Sequence, residues 1–438
     1  MEVKRMNEKY EIAGLPLPKG VRMIENFYLE MRDGIRIAAD AYLPEAEGSY
    51  PVILSLCPYK KEAQLGSPLK GFHSEGGNPA FFVPNGYVMV FATVRGAGMS
   101  QGQYNFMGEI EQKDGYDIVE GIAGMPWCNG NIGMLGGSYL GKSQYYVAAQ
   151  KPPHLKCIVP CDAGTDLYRD LVYQSGGMFH RGFMANWGIN LYDELLYPGL
   201  VEGKQEPPNF FAELLIHYLD DEFYQERNLL KLLSEIEIPT MAVLSGSAWL
   251  HSRGMLRGIN HIKASNLKVV IAPSVHGRIT MFSTLVWHNE NFNNYILRWF
   301  DKWLKNIDTG ITEEPQVVVY DSGNGEWRYE DECPPLKRTQ WTEFYLHPDL
   351  YKYNEPPQGR IDTMSPVVGE KSYNYTTPRI RTELIANKPV LAYTSSPLSD
   401  NLKVWGPVSV TLHGSIDSLD TSMWAYFVKI VDLAPDGS

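Results

Sequence analysis

The sequence has 438 residues, 44% of them hydrophobic and 21% charged, with a net charge of −12 at pH 7. That is length enough for a large core and for about two or three domains. The acids are spread along the chain, which disfavours nucleic acid as a partner, since phosphate binding needs a basic patch. The opening MEVKRMNEKYEIAGLPLPKG is charged and lacks the apolar h-region of a signal peptide. No run approaches the ~18 apolar residues of a membrane span, so the expected location is the cytoplasm. The cysteines are Cys57, Cys128, Cys157, Cys161 and Cys333. Their odd number and their spacings do not form a zinc site, so free thiols in a reducing compartment are expected. Cys157 and Cys161 lie in an apolar strand-like run and read as buried structural thiols.

Residues 23–43 read as two strands around a turn at Asp33-Gly34, with Phe27, Leu29 and Met31 alternating before it and Ile35, Ile37 and Ala39 after it. Apolar strand runs follow at 51–56, 86–92, 132–135 and 156–160. Between them lie a helical stretch at 109–123 and another opening at Leu140 and running to Ala149. Apolar strands alternating with helices predict a mainly parallel sheet covered on both faces. Residues 165–235 lose the strand pattern and gain aromatics and helix formers, which predicts a helical cap insertion. Strands resume at Thr240 and Leu267. A long amphipathic helix follows from about Glu290 to Leu304, with Phe292, Tyr295, Ile296, Trp299, Phe300 and Leu304 on one side. After about residue 310 the runs at 317–320, 343–346, 408–412 and 426–431 are separated by turn residues and suggest a β-sandwich or jelly-roll. The predicted domains are thus 1–164 (first part of the α/β core), 165–236 (cap), 237–312 (second part of the core) and 313–438 (β-domain). The chain stops at the turn sequence Pro435-Asp-Gly-Ser, which suggests that the last domain is incomplete.

Gly136-Gly137-Ser138-Tyr139-Leu140-Gly141 lies between an apolar strand and a helix. A sharp turn there needs small neighbours and lifts the serine oxygen above the sheet edge as a nucleophile. The adjoining helix N-terminus favours developing negative charge. The fifth position of the usual G-x-S-x-G pattern is Leu140, and the second glycine falls at Gly141. A structural Gly-Gly-Ser turn explains the same six residues about as well.

The surrounding text decides between them. Pro58-Tyr59-Lys60, Val94 through Gly102 (VRGAGMSQG) and Met125 through Gly130 (MPWCNG) precede the serine motif in that order. Together they resemble the cocaine-esterase and X-prolyl dipeptidyl-peptidase family of α/β-hydrolases. The likeness is dense over 51–165, patchy in the cap and clear again from Leu267. It implies an α/β-hydrolase fold and a serine hydrolase that cleaves an ester, an amide or an X-Pro peptide bond through an acyl-enzyme. Ser138 matches the nucleophile. Tyr59 matches a tyrosine whose hydroxyl forms the oxyanion hole with the backbone N–H of Tyr139. His276, in Ile271-Ala-Pro-Ser-Val-His-Gly, matches the base, with Ala272 and Val275 departing from the family pattern.

Other histidines and acids compete for the remaining roles. His251, in Trp249-Leu-His-Ser-Arg-Gly, is the rival base. The family's triad aspartate falls on Ser247 or Ala248, neither of which carries charge, and no Asp or Glu occurs between Glu237 and Asn289. Asp162, after the strand that follows the serine helix, is the candidate for a displaced acid, since a triad is defined by geometry and role. Asp166 reads instead as an N-cap. Arg95 in its glycine-rich turn lacks the pattern of a phosphate loop and is assigned to scaffolding. No metal spacing and no cofactor motif appear. The expected partner is a small ester or amide, or a short peptide. Phe179, Trp187 and Tyr192 would favour an apolar group, and Asp193 or Glu194 could grip a free amine. Self-association into a homo-oligomer is left open. Two other readings stand beside the hydrolase: a non-catalytic relative, because the usual acid is missing, and a sugar-binding protein built on the β-domain.

Overall fold

The computed structural model describes residues 16–59, 75–196, 201–246, 250–273, 286–287, 290–347, 359–367, 393–400, 402, 404–406 and 408–413. The described residues form two compact units that divide between Cys333 and Pro334.

The first unit is built on a ten-stranded sheet. Strands β1 (Val21–Glu30) and β2 (Arg36–Pro44) form the expected hairpin. Gly34, at φ +81°, makes the turn and donates its N–H to Met31 O. β3 (Tyr50–Cys57) and β4 (Val88–Thr93) come next, followed by helix α1 (Glu109–Ala123), β5 (Cys128–Gly137), helix α2 (Tyr139–Ala149) and β6 (Leu155–Cys161). After a mostly helical segment that includes α3 (Arg181–Leu196) come β7 (Thr240–Ser245), α4 (Ser252–Ile259) and β8 (Leu267–Ala272). Helix α5 (Phe292–Lys305) leads to β9 (Val317–Asp321) and β10 (Glu326–Glu330). The strand order is β1-β2-β4-β3-β5-β6-β7-β8-β9-β10. Pairing is parallel from β4 through β9 and antiparallel at both ends.

Side-chain alternation splits the core into two layers, as a pleated strand requires. Val52, Leu54 and Leu56 of β3 face a layer that includes Ile118, Val119 and Ile122 of α1. Ile53 of β3 and Met89 and Phe91 of β4 face the opposite layer, against Phe292, Trp299 and Phe300 of α5. All six residues assigned from sequence to the buried side of α5 are buried. Both faces of the sheet are therefore covered, which is why its strands read as continuous apolar runs.

The run at 317–320 is a strand, as expected from sequence. Val317, Val318 and Val319 pair in parallel with Val269, Val270 and Ile271, so β9 extends the large sheet and β10 closes its edge. In the second unit, β11 (Tyr345–His347), β12 (Gly359–Asp362) and β13 (Tyr393–Thr394) form a three-stranded sheet. The expected strand at 408–412 is not one among the described residues, and 426–431 lies outside them. The five cysteines are free, and all of them are buried, Cys157 and Cys161 as expected. Among the described residues no helix is long and apolar enough to cross a membrane, and no cluster fit to hold a metal occurs.

Arg95 has the scaffolding role read from its motif. Its guanidinium donates to both carboxylate oxygens of Asp114 on α1, at 2.8 and 2.6 Å, and pairs with Asp33 at 2.8 Å. Burial pushes the Asp114 carboxyl above its ordinary range, and Arg95 opposes that shift. Arg95→Ala would strand a buried carboxylate, and removing one partner of a buried pair costs about 3–5 kcal/mol. Denaturant unfolding should register that loss. An unchanged midpoint would contradict the assignment.

Candidate active site

The site begins where β5 turns into α2. Ser138, at the junction, has φ +58° and ψ −119°, a conformation that L-residues rarely adopt. Strain of this kind persists only where the surroundings enforce it. Here they do. The Ser138 N–H donates to Cys161 O at the end of β6 (3.0 Å), and the Gly137 N–H donates to Glu75 O (2.8 Å). Two glycines allow the close approach. A Cβ on Gly136 would lie 2.5 Å from Leu140 Cβ, and one on Gly141 would lie 2.5 Å from Cys161 O. Leu140 fills the position that is usually small, and Gly141, one residue later, supplies the clearance against β6.

Ser138 lines a narrow cleft. Tyr59, Tyr139, Lys142 and His251 line it with polar groups, and Phe106, Met107, Leu171, Phe183 and Trp187 line it with apolar ones. The Tyr139 N–H is the first of the helix and has no intrahelical acceptor. The Tyr139 phenol points away into the core, where it donates to the Glu111 carboxylate at 2.8 Å. Tyr146 donates to the same carboxylate at 2.6 Å. Burial raises the Glu111 carboxyl above its ordinary range and drives both phenols well above theirs. This anchor fixes the first turn of α2, and with it the direction of the Tyr139 N–H. Across the cleft, the Tyr59 hydroxyl accepts from Trp187 Nε1 at 3.1 Å, a bond that uses an oxygen lone pair and not the phenolic proton.

Asp162 follows β6 on the same edge of the sheet as Ser138. It is buried, with φ +42°. One carboxylate oxygen accepts from the Ser245 N–H at 2.7 Å and the other from Ser245 Oγ at 2.8 Å. The last residue of β7 thus holds the carboxylate in a fixed orientation. His276, Ser247 and Ala248 lie outside the described residues. The histidine that the described residues bring to the cleft is His251, just before α4 and 1% exposed. Asp166 caps the π-helical turn Leu167–Val172, accepting from the Arg169 N–H at 2.9 Å, as read from sequence.

Of the three aromatics expected to shape the substrate site, Trp187 lines the cleft. Phe179 packs against Tyr173 and Phe211 instead, and Tyr192 is not among the lining residues. Asp193 and Glu194 belong to α3, but their side chains lie outside the described ones. Lys142 had gone unremarked in the sequence. The signal was its place four residues after Ser138, one helical turn on and on the same face. It is 4% exposed, and burial pulls its amine down to about 8.

Gly141→Ala would drive a methyl into the Cys161 carbonyl, which as backbone cannot give way. The variant should unfold earlier on heating and lose whatever reactivity Ser138 has. A stable Gly141→Ala protein with an unaltered Ser138 would contradict this account of the bend.

Comparison with known proteins places these features in a family. Residues 33–278 match the family model described as X-Pro dipeptidyl-peptidase (S15 family), and residues 309–438 match the X-Pro dipeptidyl-peptidase C-terminal non-catalytic domain. The cocaine esterase of Rhodococcus sp. (strain MB1 Bresler) is 25% identical, over 94% of this chain and 80% of the esterase. A putative Xaa-Pro dipeptidyl-peptidase of Bacillus anthracis is 22% identical, over 94% of this chain and 74% of its own. The crystal structure of a CocE/NonD family hydrolase from Staphylococcus aureus superposes with a TM-score of 0.66 at 27% identity, covering 75% of this chain and 59% of that one.

Proposed function

The chain belongs to the X-Pro dipeptidyl-peptidase (S15) family, and from that premise we propose that it is a serine hydrolase that cleaves an ester or amide bond through an acyl-enzyme on Ser138. The observation that carries the proposal is the strained Ser138 backbone, which presents the hydroxyl to a cleft shared with Tyr59 and the N-terminus of α2. In this reading Ser138 Oγ attacks the carbonyl carbon and its proton passes to the imidazole of His276. The tetrahedral oxyanion accepts from the Tyr59 hydroxyl and the Tyr139 N–H. Collapse expels the alcohol or amine, which takes the proton, and water then repeats the sequence to release the acid. Asp162, held by Ser245, is the acid proposed to stabilise the imidazolium from the sheet edge beside Ser138. The helices between β6 and β7 act as a cap, since Phe183 and Trp187 contribute apolar wall to the cleft.

A second reading has His251 as the base. It is favoured by the placement of that buried ring in the Ser138 cleft. Single alanine variants decide between the two, because the true base should cost several orders of magnitude in kcat and the other far less.

A panel of p-nitrophenyl esters and X-Pro anilides tests the proposal, with Ser138→Ala as the silent control. Tyr59→Phe should lower kcat by about 10²–10³, the usual cost of one oxyanion donor. Asp162→Asn should lower turnover by orders of magnitude while the fold persists. Equal rates for Tyr59→Phe and the parent would remove the tyrosine from the mechanism.

A further inference from the structure

Lys142 is a cation in the wall of a cleft that it shares with Ser138, His251, two tyrosines and apolar side chains. Helical side chains lean toward the helix N-terminus, so from the first turn of α2 its stem runs back toward Ser138. Both residues line the same cleft. Only 4% of Lys142 is exposed. Among the described residues its ammonium makes no hydrogen bond and no ion pair, although it carries three donors. Glu75, Asp162 and Asp170 lie near enough to favour its charged form, but burial outweighs them. Asp162 accepts twice from Ser245. Asp170 uses Oδ2 to pair with Arg257 at 3.2 Å and to accept from the Asp166 N–H, while its Oδ1 is buried without a hydrogen bond. Glu75 is the acid that favours the Lys142 charge most, and none of the three hydrogen-bonds the ammonium. His251 is the remaining titratable group of the cleft besides the two tyrosines.

A buried ammonium without acceptors is costly to keep, since the desolvation of its donors goes uncompensated. Ligand sites use such groups sparingly, as the polar contact that fixes orientation inside an apolar pocket. We infer that Lys142 is a specificity-determining residue: it receives a carboxylate on the substrate, so the favoured substrates are esters or amides whose reacting group also bears an acid a few carbons from the scissile carbonyl. The inference rests on the reading of Ser138 as nucleophile. No bond is made or broken at Lys142. The carboxylate supplies the missing acceptors, and the ion pair is strengthened by the dry surroundings.

The pH dependence follows from the amine. With its pKa near 8, Lys142 is charged below that pH and loses its proton above it. The preference for acid-bearing substrates should therefore be full at pH 7 and fade as the pH rises through 8 to 9. A bound carboxylate moves that loss upward, since an opposite charge favours the charged form.

Methanol release from monomethyl glutarate and monomethyl adipate, set against methyl pentanoate and methyl hexanoate, tests this on the intact chain. At pH 7 the parent protein should favour the better half-ester over its neutral counterpart by tenfold or more in kcat/KM, carried mainly in KM. Lys142→Met should abolish or invert that ratio while retaining hydrolysis of the neutral esters. Lys142→Arg should keep the ratio and hold it to higher pH. A purely structural lysine would lower both substrates alike in Lys142→Met and leave the ratio unmoved, which overturns the inference. If Lys142→Met fails to fold, the parent protein decides alone: equal kcat/KM for charged and neutral esters overturns the inference, and a tenfold preference that fades above pH 8 supports it. Should the parent show no Ser138-dependent hydrolysis of any ester, the hydrolase reading itself fails, a result separable from the loss of a charge preference.

Discussion

The whole site depends on one backbone bend. A serine held at φ +58° between a parallel strand and a helix is unfavourable in isolation, and the surrounding structure imposes it. The bend is possible because α2 lies almost against the ends of β5 and β6, where only glycine fits: Gly136 against Leu140 and Gly141 against Cys161 O. It is stable because the hydrogen bonds from the Ser138 and Gly137 N–H groups fix the junction to β6 and to Glu75. With that strain in place, Ser138 and Tyr139 line one cleft.

Buried polar groups then fix what the bend presents. Glu111 receives two phenols and the Met107 N–H, and it sits behind the cleft, so it steadies α2 from the core side. Asp162 is held by Ser245 across adjoining strand ends. Arg95 joins the loop after β4 to α1. A carboxylate in so dry a setting is costly unless every oxygen finds a donor. The three arrangements share that logic, although only Asp162 lies beside the serine on the sheet edge.

The sequence made the sheet legible because strands buried on both faces leave continuous apolar runs, and because α5 carries its apolar residues at helical spacing. It also showed the serine bend and the cap at Asp166, since local turn chemistry dictates both. The strands at 317–330 were harder. Their apolar alternation shows that they are strands but not which sheet they join, and the pairing with Val269–Ile271 is a long-range choice. Lys142 was obscure for a related reason. A lysine in a helix ordinarily reads as solvated. His251 was legible as a rival base, and the fold brings it into the lining of the Ser138 cleft together with Lys142.

The central claim is that the bend activates Ser138. Incubation with a fluorophosphonate probe, followed by peptide mass spectrometry, measures this directly. The account requires covalent phosphonylation at Ser138, absent in Ser138→Ala and in heat-unfolded protein. A folded chain whose Ser138 stays unmodified at saturating probe would contradict it.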